Sequence, residues 1–171
     1  MRPKALLAFL FLPVVAEAGG DTLRLSSPDF RPGGFIPARF TCEGDNTSPT
    51  LEIAGVPTGT KSLCLIVEDP DAPGGTFTHW LVWNIPSTCI EIPPGKVPAG
   101  AAEGTNDFGK PGYGGPCPPS GTHRYFFRLF ALDVSPALPA GASRNDVVNA
   151  IHPHILGRVD LMGRYAKSGD R

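Results

Sequence analysis

Residues 62–85 read SLCLIVEDPDAPGGTFTHWLVWNI. Two near-continuous apolar runs, SLCLIV (62–67) and HWLVWNI (79–85), have the pattern of strands buried on both faces. Between them stand Asp69-Pro70-Asp71-Ala72-Pro73 and Gly74-Gly75. These residue types make turns: proline pre-sets φ, aspartate bonds its own backbone, and glycine tolerates positive φ. A hairpin built on this stretch brings Asp69, Asp71 and His79 to the same end of one sheet.

Outward from that hairpin, RYFFRLFAL (124–132) is a third apolar run, rich in aromatics. Residues 22–25 alternate, Leu51 and Ile53 alternate, and 35–41 is a mixed apolar run that reads as another β-type segment. The run 159–165 reads as a closing strand. One stretch looks helical: Ser143 is placed to cap it, with Asp146 at the third helical position. Val147, Val148 and Ile151 then share a face, and Pro153 ends or restarts the helix. Many short strands with a single late helix indicate a mainly β protein, a sandwich or distorted barrel rather than alternating βαβ units.

The chain has 171 residues, one domain's worth, with 41% hydrophobic residues, a net charge of −1 and no basic run. That balance argues against a nucleic-acid partner. Its 21 glycines and 20 prolines exceed the roughly twelve and nine of average usage and follow no fixed period, as expected of many turns. At the N-terminus, Arg2 and Lys4 precede an apolar stretch (5–15) and the small-x-small site Ala16-Glu17-Ala18. Residues 1–18 are therefore expected to be a signal peptide, leaving 19–171 as one domain, periplasmic or secreted. The apolar stretch is too short to span a bilayer, so the protein is not expected to cross a membrane. No cysteine follows it to carry a lipid anchor.

Export makes disulfides plausible for Cys42, Cys64, Cys89 and Cys117, an even set with no C-x-x-C pair. Four cysteines allow three pairings, and spacing alone does not choose.

A second cluster follows the loop GKPGYGGPCPPSG (109–121), in which nine of thirteen residues are Gly or Pro. His123 and Tyr125 come next, on alternate positions of a strand entrance, so both point to one face. Each feature has a plain reading: Asp-Pro-Asp is an ordinary turn former, a histidine at a strand end is usually packed or solvated, and Arg124 is most simply solvated or salt-bridged. The functional reading rests on convergence of two histidines, carboxylates, a tyrosine and a glycine-rich backbone.

DPDAP (69–73), THWLVWNIP (78–86), GYGGPCPPSGTHRY (112–125) and CEGDNTSPTL (42–51), in this order and spacing, resemble the signature regions of the phosphatidylethanolamine-binding family. GGPCPP and C-x-G-x-N-x-SP are similar to its bacterial, Raf-kinase-inhibitor-like branch. The resemblance implies a Greek-key-like fold of two antiparallel sheets with short C-terminal helical structure. It also implies a small pocket for phosphate-like anions or phospholipid headgroups, formed by Asp69, Asp71, His79, His123 and Tyr125. Gly115 and the prolines of the GPCPP loop, Pro116 and Pro118 among them, make another wall, with the identity of the pocket proline left open between Pro116, Pro118 and Pro119. Thr78 stands where eukaryotic members often carry a further histidine. The resemblance also implies a Cys42–Cys117 disulfide beside the pocket. Cys64–Cys89 is the remaining pair, and a cis Ala72–Pro73 bond is expected.

A carboxylate repels phosphate, so Asp69 is expected either to fix a histidine tautomer or to meet a headgroup ammonium. The pocket is expected to be shallow and polar, without a deep lipid tunnel. No cofactor, metal or enzymatic activity is expected, since no G-x-S-x-G, H-E-x-x-H, P-loop or G-x-G-x-x-G occurs. Three other readings stay open: acid–base catalysis by the His/Asp/Tyr set, a metal site on His79, His123 and Asp69, and inhibition of a protease or kinase through protein contact. The sequence leaves a homodimer open. His152 and His154, on either side of the helix-breaking Pro153, read as a packed or solvated turn.

Overall fold

A computed structural model describes residues 22–170. The expected signal peptide and its cleavage site before Gly19 lie outside the described residues. Strands β3 (Ser62–Asp69) and β4 (Phe77–Pro86) pair antiparallel around the DPDAP turn. β7 (His123–Leu132) pairs with the other edge of β3, and β8 (Ile155–Tyr165) pairs with β7. The two-residue β6 (Ala102–Glu103) completes a five-stranded sheet in the order β6-β4-β3-β7-β8. A smaller sheet, in the order β1-β2-β5, is made of β1 (Arg24–Ser26), β2 (Leu51–Ala54) and β5 (Glu91–Ile92).

Every residue of β3 is buried, because this central strand is covered on both faces. Leu63, Leu65 and Val67 face the small sheet and pack with Leu25, Leu51, Ile53, Trp80 and Phe127. Cys64 and Ile66 face the other way, against Leu81, Trp83, Val147 and Ile151. Each such Leu, Ile or Val contributes about 1.5–3 kcal/mol by leaving water, and a strand that serves two cores must be apolar throughout. The second core lies under helix α1 (Arg144–Ile151), capped as expected: Ser143 accepts from the Asp146 amide, and the Asp146 carboxylate accepts from the Ser143 amide at 3.0 Å.

Three expectations are corrected. The segment 35–41 is not a strand: after Pro37, which has no N–H to give a ladder, Ala38–Phe40 turn into a 3₁₀ helix. Cys64 and Cys89 are both free. Cys64 points toward α1, whereas Cys89 lies beyond the end of β4 and packs against the opposite core, so the sheet separates them. Finally, no cis peptide occurs among the described residues, and Ala72–Pro73 is trans. The chain reverses by other means: the Asp71 amide donates to Asp69 Oδ1 at 2.8 Å, the Gly75 amide to the Ala72 carbonyl at 3.0 Å, and Gly75 adopts φ +104°.

Candidate functional site

His79 reaches its position through a fault in the ladder. Val67 pairs with Trp80, but the next residue, Glu68, pairs with Thr78, so His79 is an extra residue on β4. Strict alternation would send His79 outward with Leu81 and Trp83, toward the helix. The bulge turns it inward instead, where its ring stands 5.2 Å from that of Tyr125 and 5.1 Å from that of Phe77. A second irregularity, between the pairs Leu63–Ile85 and Leu65–Val82, coincides with Asn84 at φ +57°.

Around His79 lies a cavity of about 190 Å³, lined among others by Asp69, Tyr125, Phe77, Phe108, Cys117 and Pro119. Asp69 and Tyr125 are inner-face residues at the ends of β3 and β7. His123, two residues before Tyr125 on the same face, does not line the cavity. It stands behind it, with Nδ1 2.7 Å from Asp69 Oδ2, and both partners are buried. An ionised Asp69 accepts from His123 Nδ1–H and thereby sets the tautomer. His79 Nδ1 is likewise occupied, 2.6 Å from the Gly114 carbonyl, while the Gly114 amide donates to the His79 carbonyl at 2.9 Å. With its Nδ1–H on that carbonyl, neutral His79 offers an acceptor at Nε2. Burial pushes this imidazole below its ordinary value, outweighing the Gly114 bond and the Asp69 charge. Burial, with the Asp69 charge second, holds the Tyr125 phenol far above its ordinary value. Its buried hydroxyl lies within reach of Asp69 and the Cys117 backbone, but none of the described residues meets it at full hydrogen-bonding geometry.

The other expected residues fall nearby but not on the cavity. Asp71 is taken by Arg124: Nε and Nη2 donate to its two oxygens at 2.9 and 2.6 Å, and the Arg124 amide adds a third bond. These bonds hold the Asp71 carboxyl down to about 2. Pro116 and Pro118 are buried within the loop, and Pro119 is the loop proline on the cavity wall. Gly115 lines an adjoining cavity of about 210 Å³, and its amide is spent on Asn46 Oδ1 at 2.7 Å. A Cβ there would meet the Phe40 carbonyl at 2.5 Å, so its glycine is set by packing. The Cys42–Cys117 disulfide is present, with Cα atoms 5.4 Å apart, and Cys117 belongs to the walls of both cavities.

Phe108 was not legible in the sequence. It lies against Phe77 and His79 and touches both cavities. Asn106 and Asp107 hold it there. Asn106 Oδ1 accepts from the Phe108 amide, and Asp107 exchanges bonds with the backbone of Thr78. A phenylalanine in a polar loop carries no periodic signal.

The model of the phosphatidylethanolamine-binding protein family matches residues 26–166. The chain belongs to this family. A UPF0098 protein of Methanothermobacter thermautotrophicus is 50% identical over 150 residues, covering 85% of this chain and 99% of the relative. LppC of Mycobacterium tuberculosis, provisionally named a lipoprotein, is 38% identical over 165 residues, covering 95% and 80%. The crystal structure of Escherichia coli YbcL, described as a new member of the mammalian PEBP family, superposes with a TM-score of 0.79 at 35% identity, covering 84% of this chain and 98% of that one. For this family member, the two-sheet fold and late helix expected from the motifs are the fold observed. No group of three or more His, Cys, Asp or Glu residues suited to a metal occurs among the described residues, and no described helix is long and apolar enough to cross a membrane.

Proposed function

We propose that this protein is an exported binder of phospholipid headgroups and related small phosphates, with a zwitterionic phosphoethanolamine preferred over a bare anion. The observation that carries the reading is the buried Tyr125 hydroxyl, which no protein atom among the described residues meets at full hydrogen-bonding geometry, at a cavity that also holds the nearby Asp69 carboxylate. The hydroxyl donates to a phosphate oxygen. Neutral His79 offers an acceptor, and Asp69 repels a lone anion but attracts an ammonium, which the rings of Phe77 and Phe108 also favour. His123 holds the Asp69 carboxylate in place through its Nδ1 bond. A cavity of about 190 Å³ suits a headgroup and leaves no room for acyl chains. The reading is of binding rather than catalysis, since the cysteine on the wall is locked in a disulfide and the phenol is held protonated. Export is supported by the N-terminal pattern, the disulfide and the similarity to LppC.

Calorimetric titration with O-phosphorylethanolamine, inorganic phosphate and sulfate tests this. Tyr125→Phe is expected to weaken phosphorylethanolamine by about tenfold or more, the usual cost of a charge-assisted bond. Asp69→Asn is expected to weaken the zwitterion while strengthening sulfate, and His154→Ala to change neither. Equal affinity for all three ligands, unaltered by Tyr125→Phe and Asp69→Asn, would place binding elsewhere.

A further inference from the structure

Helix α1 is only eight residues long and does not cover the whole outer face of the large sheet. Between it, the turn His152–His154 and strands β7 and β8 lies a cleft of about 380 Å³, on the opposite side of the sheet from the cavity around His79. Ile66, Phe130, Val148, Ile151 and Ile155 give it apolar walls, and Arg128, Arg144 and Arg158 line it too. That volume is within the roughly 300–1,000 Å³ of small-molecule sites, which likewise combine apolar walls with a few placed polar groups.

The charges form an alternating chain. Arg144 Nε donates to Glu68 Oε1, and Arg128 stands between Glu68 and Asp160 at 3.1 and 3.0 Å. Arg158 closes the series with two bonds to Asp160, at 2.9 and 2.7 Å. The chain begins and ends on arginine, so three guanidiniums meet two carboxylates and one positive charge is left over. Donors are in surplus as well, because each guanidinium carries five N–H groups. Arg128 Nε is buried and, although near Glu68 Oε2, has no aligned acceptor. Arg144 opens α1, where the positive end of the helix dipole disfavours a cation. Its ion pair with Glu68 holds it there instead, at the wall of the cleft.

We infer that this cleft is a second binding site, for a small monoanion, a carboxylate or sulfonate, attached to an apolar body. The anion meets the surplus guanidinium donors, and the body lies against Phe130, Val148 and Ile155. A doubly charged inorganic anion lacks the apolar half, and a neutral apolar compound leaves the extra charge unmatched.

An NMR amide titration with 2-naphthoate tests this, with 2-naphthamide as the uncharged control and inorganic sulfate as the control without an apolar body. Shifts are expected to cluster on Arg144, Val148, Ile155 and Arg158, and to persist in saturating O-phosphorylethanolamine. Arg158→Gln and Arg144→Gln, both at partly exposed ends of the chain, are each expected to weaken naphthoate by about tenfold while leaving the remaining amide spectrum superimposable. Equal binding of naphthamide would reduce the cleft to an apolar patch, and equal binding of sulfate to a general anion site. Shifts centred on His79 and Tyr125, or naphthoate affinity unchanged in both variants, would overturn the assignment.

Discussion

Glu68 and Asp69 are neighbours on β3, both buried, and they have opposite electrostatic lives. Strand alternation sends Glu68 out toward α1, into the grip of Arg128 and Arg144, and Asp69 inward toward His123. Guanidinium stays charged at any pH the fold will see, whereas imidazole can release its proton. The Glu68 side is therefore a permanent ion network. The Asp69 side rests on one imidazole, and it is the side closed by the Gly/Pro loop and the disulfide. A single peptide step thus divides a carboxylate locked between guanidiniums from one that lines the cavity.

The sharpest way to break this comparison is to remove the Cys42–Cys117 bond, which links positions 75 residues apart. The Cys42→Ser/Cys117→Ser double variant is expected to lose about 3–4 kcal/mol of stability, chiefly because the unfolded chain regains freedom. Urea unfolding measures the loss. Hydrogen exchange should rise around Gly114 and Pro119 but not around Arg144. Uniform loosening of both sides would show that they are not independent.

Exchanging each carboxylate for its amide sharpens the contrast. Glu68→Gln leaves two partly buried guanidiniums without their anion and is expected to cost about 2–3 kcal/mol. Asp69→Asn is expected to cost only about 1 kcal/mol, since the amide oxygen can still accept from His123 Nδ1–H. Unfolding midpoints of the two variants decide the order. A larger loss in Asp69→Asn would reverse the assignment of roles.

The smallest effect concerns His79. Its imidazole is harder to protonate in the folded protein than in the unfolded chain, where it titrates near 6.5. As pH falls below about 6.5, the unfolded chain takes up this proton first, so stability declines until the folded-state value is passed, below which the penalty is constant. His79→Gln should flatten that decline in urea unfolding measured from about pH 7 to about pH 5. A His79 resonance titrating at or above 6.5 in the folded protein would contradict it.

What the sequence determined by itself was local and periodic. The continuous apolar runs at 62–67 and 79–85 specified a twice-covered hairpin, since only burial on both faces tolerates such runs. Ser143 and Asp146 specified the start of the helix, and alternation alone put His123 and Tyr125 on one face. The motifs added the family and the Cys42–Cys117 pair. Tertiary structure decided the rest, because it depends on ladder faults and on loops brought together from afar. The bulge at His79 reverses which face a side chain sees, and alternation cannot reveal the reversal in advance. The sheet lying between Cys64 and Cys89, the capture of Asp71 by Arg124, and the arrival of Phe108 beside His79 all join residues distant in sequence. Such contacts are set by how layers pack, and no periodicity along the chain encodes them.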